Sequence, residues 1–356
     1  MKKFSILLFS AIAMVACSKD VVTDRNESAI DFEIAAQGTV KTTATTTGNI
    51  SEFKVWSYTQ PTTSVTEPKA VMENITVSKN ADGAWTYSPK KYWPHQMNLD
   101  FYAIAPTNLT TEVAAGSAKI NFTGTTVPTQ LGERCDCINY PDIVYATALN
   151  MNKESLGGKV TMNFRHAMSQ IQFRVKNASS EASQISYAPI SLSIKGLDAQ
   201  GTYTLPMAAA TTSAFDNQDS HGTWESDPIV DAKGEIIPHR FVIAQNPVAP
   251  KENVLITNED DFHLVIPQNK ENDEATLEVR FNIYQNGLLI APEIEKEIAF
   301  PVDWKEGYKY TYTLVVTEAS DGDLSNYVIE FDKVTVDPFI DWDWGKNGEN
   351  GEVNLN

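Results

Sequence analysis

Apolar and polar residues alternate with a period of two along most of the chain and helical spacing is nearly absent, so the pattern predicts strands. Ile30, Phe32 and Ile34 alternate with Asp31 and Glu33, forming one short strand ahead of a Thr-rich run from Thr42 to Thr47. Phe53, Val55, Trp56 and Tyr58 mark a second strand. Leu99, Phe101 and Ala103 alternate with Asp100 and Tyr102, and Val160, Met162 and Phe164 with Thr161 and Asn163. Ile171, Phe173 and Val175 alternate with Gln172 and Arg174. The cleanest run is Leu277, Val279, Phe281 and Ile283 against Glu278, Arg280, Asn282 and Tyr284. Asn286-Gly287 follows it, a pair suited to the left-handed backbone of a two-residue turn, which predicts a hairpin into Leu288 to Ile290. Tyr308, Tyr310, Tyr312 and Leu314 line a further strand. Beyond it the apolar phase shifts from Ile329 and Phe331 to Val334 and Val336, predicting a bulge at Asp332-Lys333 before Pro338 ends the ladder. One buried and one wet face per strand is the pattern of antiparallel sheets packed as sandwiches.

The 356 residues are enough for two such domains. Leu156-Gly157-Gly158 interrupts the strands and divides an expected N-terminal sandwich, 50–155, from a C-terminal one, 156–344. Residues 17–49 read as a leader containing the Ile30–Ile34 strand, and the polar, Gly/Asn-rich tail 345–356 is expected to be disordered.

The first residues change the picture. Lys2 and Lys3 precede an apolar stretch from Phe4 to Ala16, shorter than the about 20 residues a bilayer-crossing helix needs, so 1–16 reads as a signal peptide. Small Val15 and Ala16 stand before Cys17 as in the bacterial lipobox. Cleavage between Ala16 and Cys17 would leave Cys17 as the lipid-carrying first residue, and Ser18-Lys19-Asp20 after it is similar to a short surface-export tether. The net charge is −18, and losing Lys2 and Lys3 makes the chain more acidic still. Nucleic acid is therefore not an expected partner, because phosphate binding needs concentrated Lys and Arg. The other cysteines, Cys135 and Cys137, are two apart and are compatible with a strained bridge or with two free thiols. No histidine stands at metal-ligand spacing from them, and no metal or other cofactor is expected.

Five segments in order resemble the fimbrillin family of Bacteroidetes lipoproteins. These are Tyr92-Trp93-Pro94 with Leu99-Asp100-Phe101-Tyr102-Ala103; Pro141-Asp142-Ile143-Val144-Tyr145-Ala146; Phe164-Arg165-His166-Ala167-Met168-Ser169-Gln170-Ile171; Gly307-Tyr308-Lys309-Tyr310; and Val336-Asp337-Pro338-Phe339-Ile340-Asp341-Trp342. The resemblance implies an all-β fold of two transthyretin-like antiparallel β-sandwich domains. It implies a structural subunit of surface fimbriae, the type V pilus, assembled by protease-triggered donor-strand exchange and mediating adhesion. The implied location is the cell outer membrane, surface-exposed and lipid-anchored, or the fimbrium once processed. Implied partners are other fimbrial subunits, as homo- or hetero-polymer, the outer membrane through the lipid, and a host or bacterial surface glycan or protein. In polymerising members a trypsin-like protease removes an N-terminal strand, leaving a groove that a neighbour's strand fills. Ile30 to Ile34 matches the removable strand. The family's processing arginine has no match here: Lys41 stands near that position, and Arg25 lies before the strand. The donor candidate is 327–344, with Ile329, Phe331, Val334, Val336, Phe339 and Ile340. An ordinary edge strand is the equal alternative for it.

Catalytic chemistry is not expected, since no Gly-rich phosphate loop, Gly-x-Ser-x-Gly elbow or His-Glu-x-x-His helix occurs. His166 reads as a structural histidine between strands, and His95, His221, His239 and His263 are scattered. Asn258-Glu259-Asp260-Asp261 lacks the Gly-centred alternation of a calcium loop. Trp56, Trp85, Trp93, Trp224, Trp304, Trp342 and Trp344 raise one competing reading, a surface glycan-binding lipoprotein that stacks sugars on exposed aromatic residues. Exposed, coplanar tryptophans would support it and buried ones would not.

Overall fold

The computed structural model describes residues 28–34, 50–63, 66–156, 158–207, 221–258, 263–271, 274–318, 327–332, 334–338 and 351–353. The described chain is almost wholly β, with a single four-residue helix, Lys153–Leu156, and two short 3-10 turns. Period-two alternation thus translated into strands nearly throughout.

One six-stranded sheet runs Arg165–His166, Val144–Met151, Leu99–Ala105, Glu52–Thr59, Ala70–Lys79, Trp85–Thr86. Its central strands are covered on both sides. Phe53, Val55, Phe101, Ala103, Val144 and Ala146 face a smaller core that also holds Ile30, Phe32, Val160, Met162 and Phe164. Trp56, Tyr102, Ile104 and Tyr145, alternating with them, face a larger core. The expectation of a wet face at Tyr102 is corrected here: the residue is fully buried. A sheet sandwiched between two cores needs apolar or aromatic side chains on both faces, and Leu-Asp-Phe-Tyr-Ala-Ile-Ala is close to such a continuous run.

The larger core lies among three further sheets. In one, Ser169–Asn177 pairs parallel with Tyr308–Thr317, so that Ile171, Phe173 and Val175 align with Tyr310, Tyr312 and Leu314. Parallel pairing also joins Gly132–Asp136 to His239–Phe241, so the antiparallel rule holds for most neighbours but not for all. The second sheet runs Leu288–Ala299, Thr276–Gln285, Ile185–Lys195, His239–Phe241, Gly132–Asp136, Thr126–Thr129. Its predicted hairpin turns at Asn286 and Gly287 with φ of 52° and 76°, the left-handed conformation of a type I′ turn. The third runs Thr223–Asp227, Gln200–Thr204, Ser117–Thr123, Thr110–Ala114. Strands on either side of residue 155 therefore share two of these sheets, and residues 159–164 pack in the smaller core beside residues 30–105.

The phase shift near Asp332 is also found. Leu314 pairs with Phe331, whereas Thr311 pairs with Thr335, so one extra residue is accommodated in between. The strand Val334–Pro338 ends at its proline. Part of the tail expected to be disordered is paired, because Gly351–Val353 runs antiparallel to Val334–Val336.

Candidate functional site

The candidate site is built around the first described strand, Asp31–Ile34. It lies in a slot on the smaller core. One wall is Lys159–Met162, which it pairs in parallel from Asp31↔Lys159 to Ile34↔Met162. The other wall is the segment through Tyr87, Lys91 and Trp93. There the Ile30 amide donates to the Lys91 carbonyl at 2.9 Å, and the Trp93 amide to the Ser28 carbonyl at 3.2 Å. The Asp31 amide donates to the Gly158 carbonyl at 3.2 Å. Tyr87 Oη donates to the Ile30 carbonyl at 2.6 Å, and Trp93 Nε1 to the Gly158 carbonyl at 3.3 Å. Gly158 sits at φ 95°, a conformation that a residue with a Cβ resists. That turn aims its carbonyl at the strand, through the Asp31 amide, and at the Trp93 wall.

Alternation does the rest. Ile30 and Phe32 point down and are buried, Ile34 is half-buried against the same core, and Asp31 and Glu33 point away from it. Phe32 meets Phe53, Tyr87 and Phe101 edge to face, with ring centroids 5.7 to 5.9 Å apart. Full burial of Ile30 and Phe32 contributes about 1.5–3 kcal/mol each, and edge-to-face pairs add about 0.5–1.5 kcal/mol beyond area. The rim ion pair Lys90–Asp31, 3.0 Å long and with both side chains over two-fifths exposed, adds little. Thr161 Oγ1 donates to Glu33 Oε1 at 2.7 Å on the same rim. The strand is held mainly by two apolar plugs and a set of main-chain bonds.

The larger core carries a buried polar node. Glu306 receives Tyr145 Oη at 2.8 Å on Oε1 and Tyr203 Oη at 2.6 Å on Oε2, with His221 Nδ1 2.9 Å from Oε1. Burial, with the Glu306 carboxyl as the next contributor at Tyr145, pushes both phenols well above the usual range. Four separated segments are tied there, and nothing in the spacing of Tyr145, Tyr203, His221 and Glu306 announced it. The node ties these segments together from inside the core.

Other expected residues find definite places. His166 Nδ1 lies 2.8 Å from Asp142 Oδ1 in a nearly buried structural pair. Cys135 and Cys137 are buried free thiols, which settles the choice between bridge and thiols. Each donates to a carbonyl, of Ile237 and Arg240 respectively, and burial pushes the Cys135 thiol up to about 11. His239 is wholly buried, and desolvation lowers it to about 3; His263, also buried, falls to about 4. Trp56, Trp93 and Trp304 are buried, and Trp85 and Trp224 half-buried. The described residues thus include no exposed tryptophan platform. Among the donor candidates, Ile329 and Val334 are buried and Phe331 and Val336 half-buried, in strands paired to Tyr308–Thr317 of their own chain. Ala16, Cys17, Arg25, Lys41, Phe339, Ile340, Trp342 and Trp344 lie outside the described residues.

The described chain is thus an all-β protein of layered sheets with a short N-terminal strand laid on an apolar sheet face. A family model described as fimbrillin-like matches residues 39–338, and the chain belongs to that family, whose members are fimbrial structural proteins. Among solved structures, a fimbrial protein from Bacteroides vulgatus is 16% identical, with a TM-score of 0.62 over 87% of this chain and 99% of that one. The fimbrial anchor protein Mfa2 from Porphyromonas gingivalis is 11% identical, with a TM-score of 0.34 over 87% of this chain and 97% of that one. No curated protein sequence matches. The Bacteroides vulgatus likeness is one of fold. Of the slot residues, Phe53 and Phe101 were legible as strand positions and Trp93 and Phe101 lay within the first motif, but nothing joined them to Ile30–Ile34, and Tyr87 carried no signal.

Proposed function

We propose that this protein is a subunit of a surface fimbrium, exported as a lipoprotein through Cys17, and that its leader strand is the exchangeable part. The observation that carries the reading is the manner in which residues 28–34 are held. Ile30 and Phe32 fill the smaller core from a seven-residue described segment, and the chain is next described at Ile50. A cut after Lys41 would turn the strand into a separate peptide held only by its contacts. A cut after Arg25 would release the lipid and keep the strand in place. With neither cut the chain stays anchored and closed to strand addition at this slot.

Loss of the strand would uncover Phe53, Tyr87 and Phe101 together with the open main-chain edge of Lys159–Met162. A neighbour's strand with apolar residues two apart would restore both kinds of contact. To copy the departed strand it would run parallel to Lys159–Met162. The C-terminal segment 327–344 has such spacing at Ile329 and Phe331 and again at Val334 and Val336. Its donation requires it to leave Tyr308–Thr317, so a donor would exchange one set of ladder bonds for another. N-terminal sequencing and intact-mass measurement of protein from sheared surface filaments test the proposal. A start after Lys41 supports exchange, whereas filament subunits that all begin at an acylated Cys17 would end it.

A further inference from the structure

We propose that a cleft on the outer face of the second sheet binds a hexuronic acid residue of an acidic polysaccharide. This site is independent of strand exchange. The chain has six arginines, Arg25, Arg134, Arg165, Arg174, Arg240 and Arg280, within a net charge of −18. Three of them, Arg134, Arg240 and Arg280, line one cavity of about 400 Å3.

The register explains why the cavity is there. Ser191 and Ser193 stand on the strand Ile185–Lys195, where Ser191 pairs with Arg280 and Ser193 with Arg240 on the strands to either side. Two small hydroxyl residues between two long cationic ones leave a trough with guanidiniums on its walls; the Ser193 hydroxyl donates to Glu278 Oε2 at 2.9 Å, Ser191 lies beside it, and Leu131, Val242 and Ile243 add apolar lining. Arg134, on Gly132–Asp136, lines the trough together with the turn before that strand. Gln245 lines it as well and is pinned by its Nε2 bond of 2.9 Å to the Ile190 carbonyl.

The guanidiniums are aimed but not used up. Arg240 Nε is held by the buried Asp136 at 3.1 Å, and Arg280 Nη2 by Glu295 at 2.6 Å. Each of these pairs fixes a planar fork and leaves further N–H groups for a ligand. Arg134 donates to the Glu133 carbonyl through Nη1 at 2.8 Å. A planar fork matches a carboxylate in two-point fashion, which a neutral sugar cannot offer. Glu293, exposed on the wall, supplies the opposite need: its carboxylate accepts hydroxyl protons and repels a chain of acidic groups. A single carboxylate on a ring rich in hydroxyls satisfies cationic walls and Glu293 together, and a run of acidic peptide side chains does not. The volume lies at the small end of ligand sites, suited to one sugar ring with its neighbours outside.

The test is saturation-transfer NMR on the purified protein with glucuronic acid as probe, and with glucose, acetate and tetraglutamate as comparisons. Glucuronate is expected to bind with a Kd of roughly 1 mM, and glucose not to bind. Arg134→Ala and Arg280→Ala are each expected to weaken glucuronate about tenfold, the loss of one charge-assisted contact. Arg134→Ala decides the matter if Arg280→Ala fails to fold, because among the described residues the Arg134 guanidinium hydrogen-bonds to no other side chain. No transfer to glucuronate, an unchanged Kd in Arg134→Ala, or equal binding of acetate or tetraglutamate would each overturn the assignment.

Discussion

Phe32→Ala is the sharpest probe of the leader-strand slot. The side chain is 5% exposed and touches Phe53, Tyr87 and Phe101, so truncation opens a cavity inside the smaller core. Burying a phenyl and then deleting it costs about 3–5 kcal/mol. A seven-residue segment with two buried plugs cannot absorb that loss, and the strand should open locally while the larger core stays folded. A penalty of about 3 kcal/mol multiplies the open population by roughly a hundred. Hydrogen exchange at neutral pH reads it directly. Amides of Asp31–Ile34 and Lys159–Met162 should exchange about two orders of magnitude faster in Phe32→Ala, and those of Ile171–Val175 at their former rate. Phe32→Leu, which refills most of the space, should recover most of the protection. Equal acceleration in both regions would mean that the slot is no separate unit, and unchanged protection of Lys159–Met162 would mean that Phe32 does not hold the strand.

Three further outcomes can be measured. His239 and His263 are lowered to about 3 and about 4 by burial, so as pH falls below 6.5 the unfolded chain takes up protons that the folded chain refuses. Their contribution to stability is whole above pH 6.5 and drains toward pH 3, with about 2 kcal/mol lost per histidine by pH 5; urea titrations of His239→Leu should show a correspondingly shallower pH dependence over that range. Glu306→Gln leaves the Tyr145 and Tyr203 hydroxyls and His221 competing around one carbonyl oxygen, and should lower unfolding free energy by about 1–3 kcal/mol in urea, with no loss if the node is inert. Gly196 has φ 87°, and an added Cβ would stand 2.0 Å from the Glu274 carbonyl oxygen, so Gly196→Ala should destabilise by more than about 1 kcal/mol, and a neutral result would refute the tight crossing.

Much of this architecture is legible in the residues because alternation reports on faces. Leu277, Val279, Phe281 and Ile283 are all buried as their spacing predicts, Asn286-Gly287 turns the hairpin, and the shift between Phe331 and Val334 becomes an added residue in the ladder. Alternation says nothing about neighbours, since any strand of matching period can pair with any other. Nothing in Ile30 to Ile34 names Lys159–Met162 as its partner, and the parallel contact of Ser169–Asn177 with Tyr308–Thr317 joins segments far apart in sequence. The same limit hid the arginine-lined trough. Arg134, Arg240 and Arg280 become neighbours only through the register of four strands. Tyr102 shows a different failure, because a tyrosine counts as wet or buried according to what covers its sheet, and here a second core does.

That second covering bears on what the slot would become without its strand. An apolar cavity in a small domain ordinarily shrinks as its walls move in, which would erase a docking groove before a partner arrived. The floor under Phe32 is not free to move in this way. Phe101 stands on a strand whose other face presents Tyr102 and Ile104 to the larger core, and the adjoining strand presents Tyr145, whose hydroxyl is bound to Glu306. Any inward shift of the sheet would pull these buried groups out of close packing and stretch a buried bond, at a cost of the same order as the apolar area it would hide. A rigid floor would therefore keep an emptied surface open, its exposed rings and unpaired ladder edge complementary to an extended strand with apolar residues two apart. The clamp from below is what makes a removable strand consistent with a groove that survives its removal.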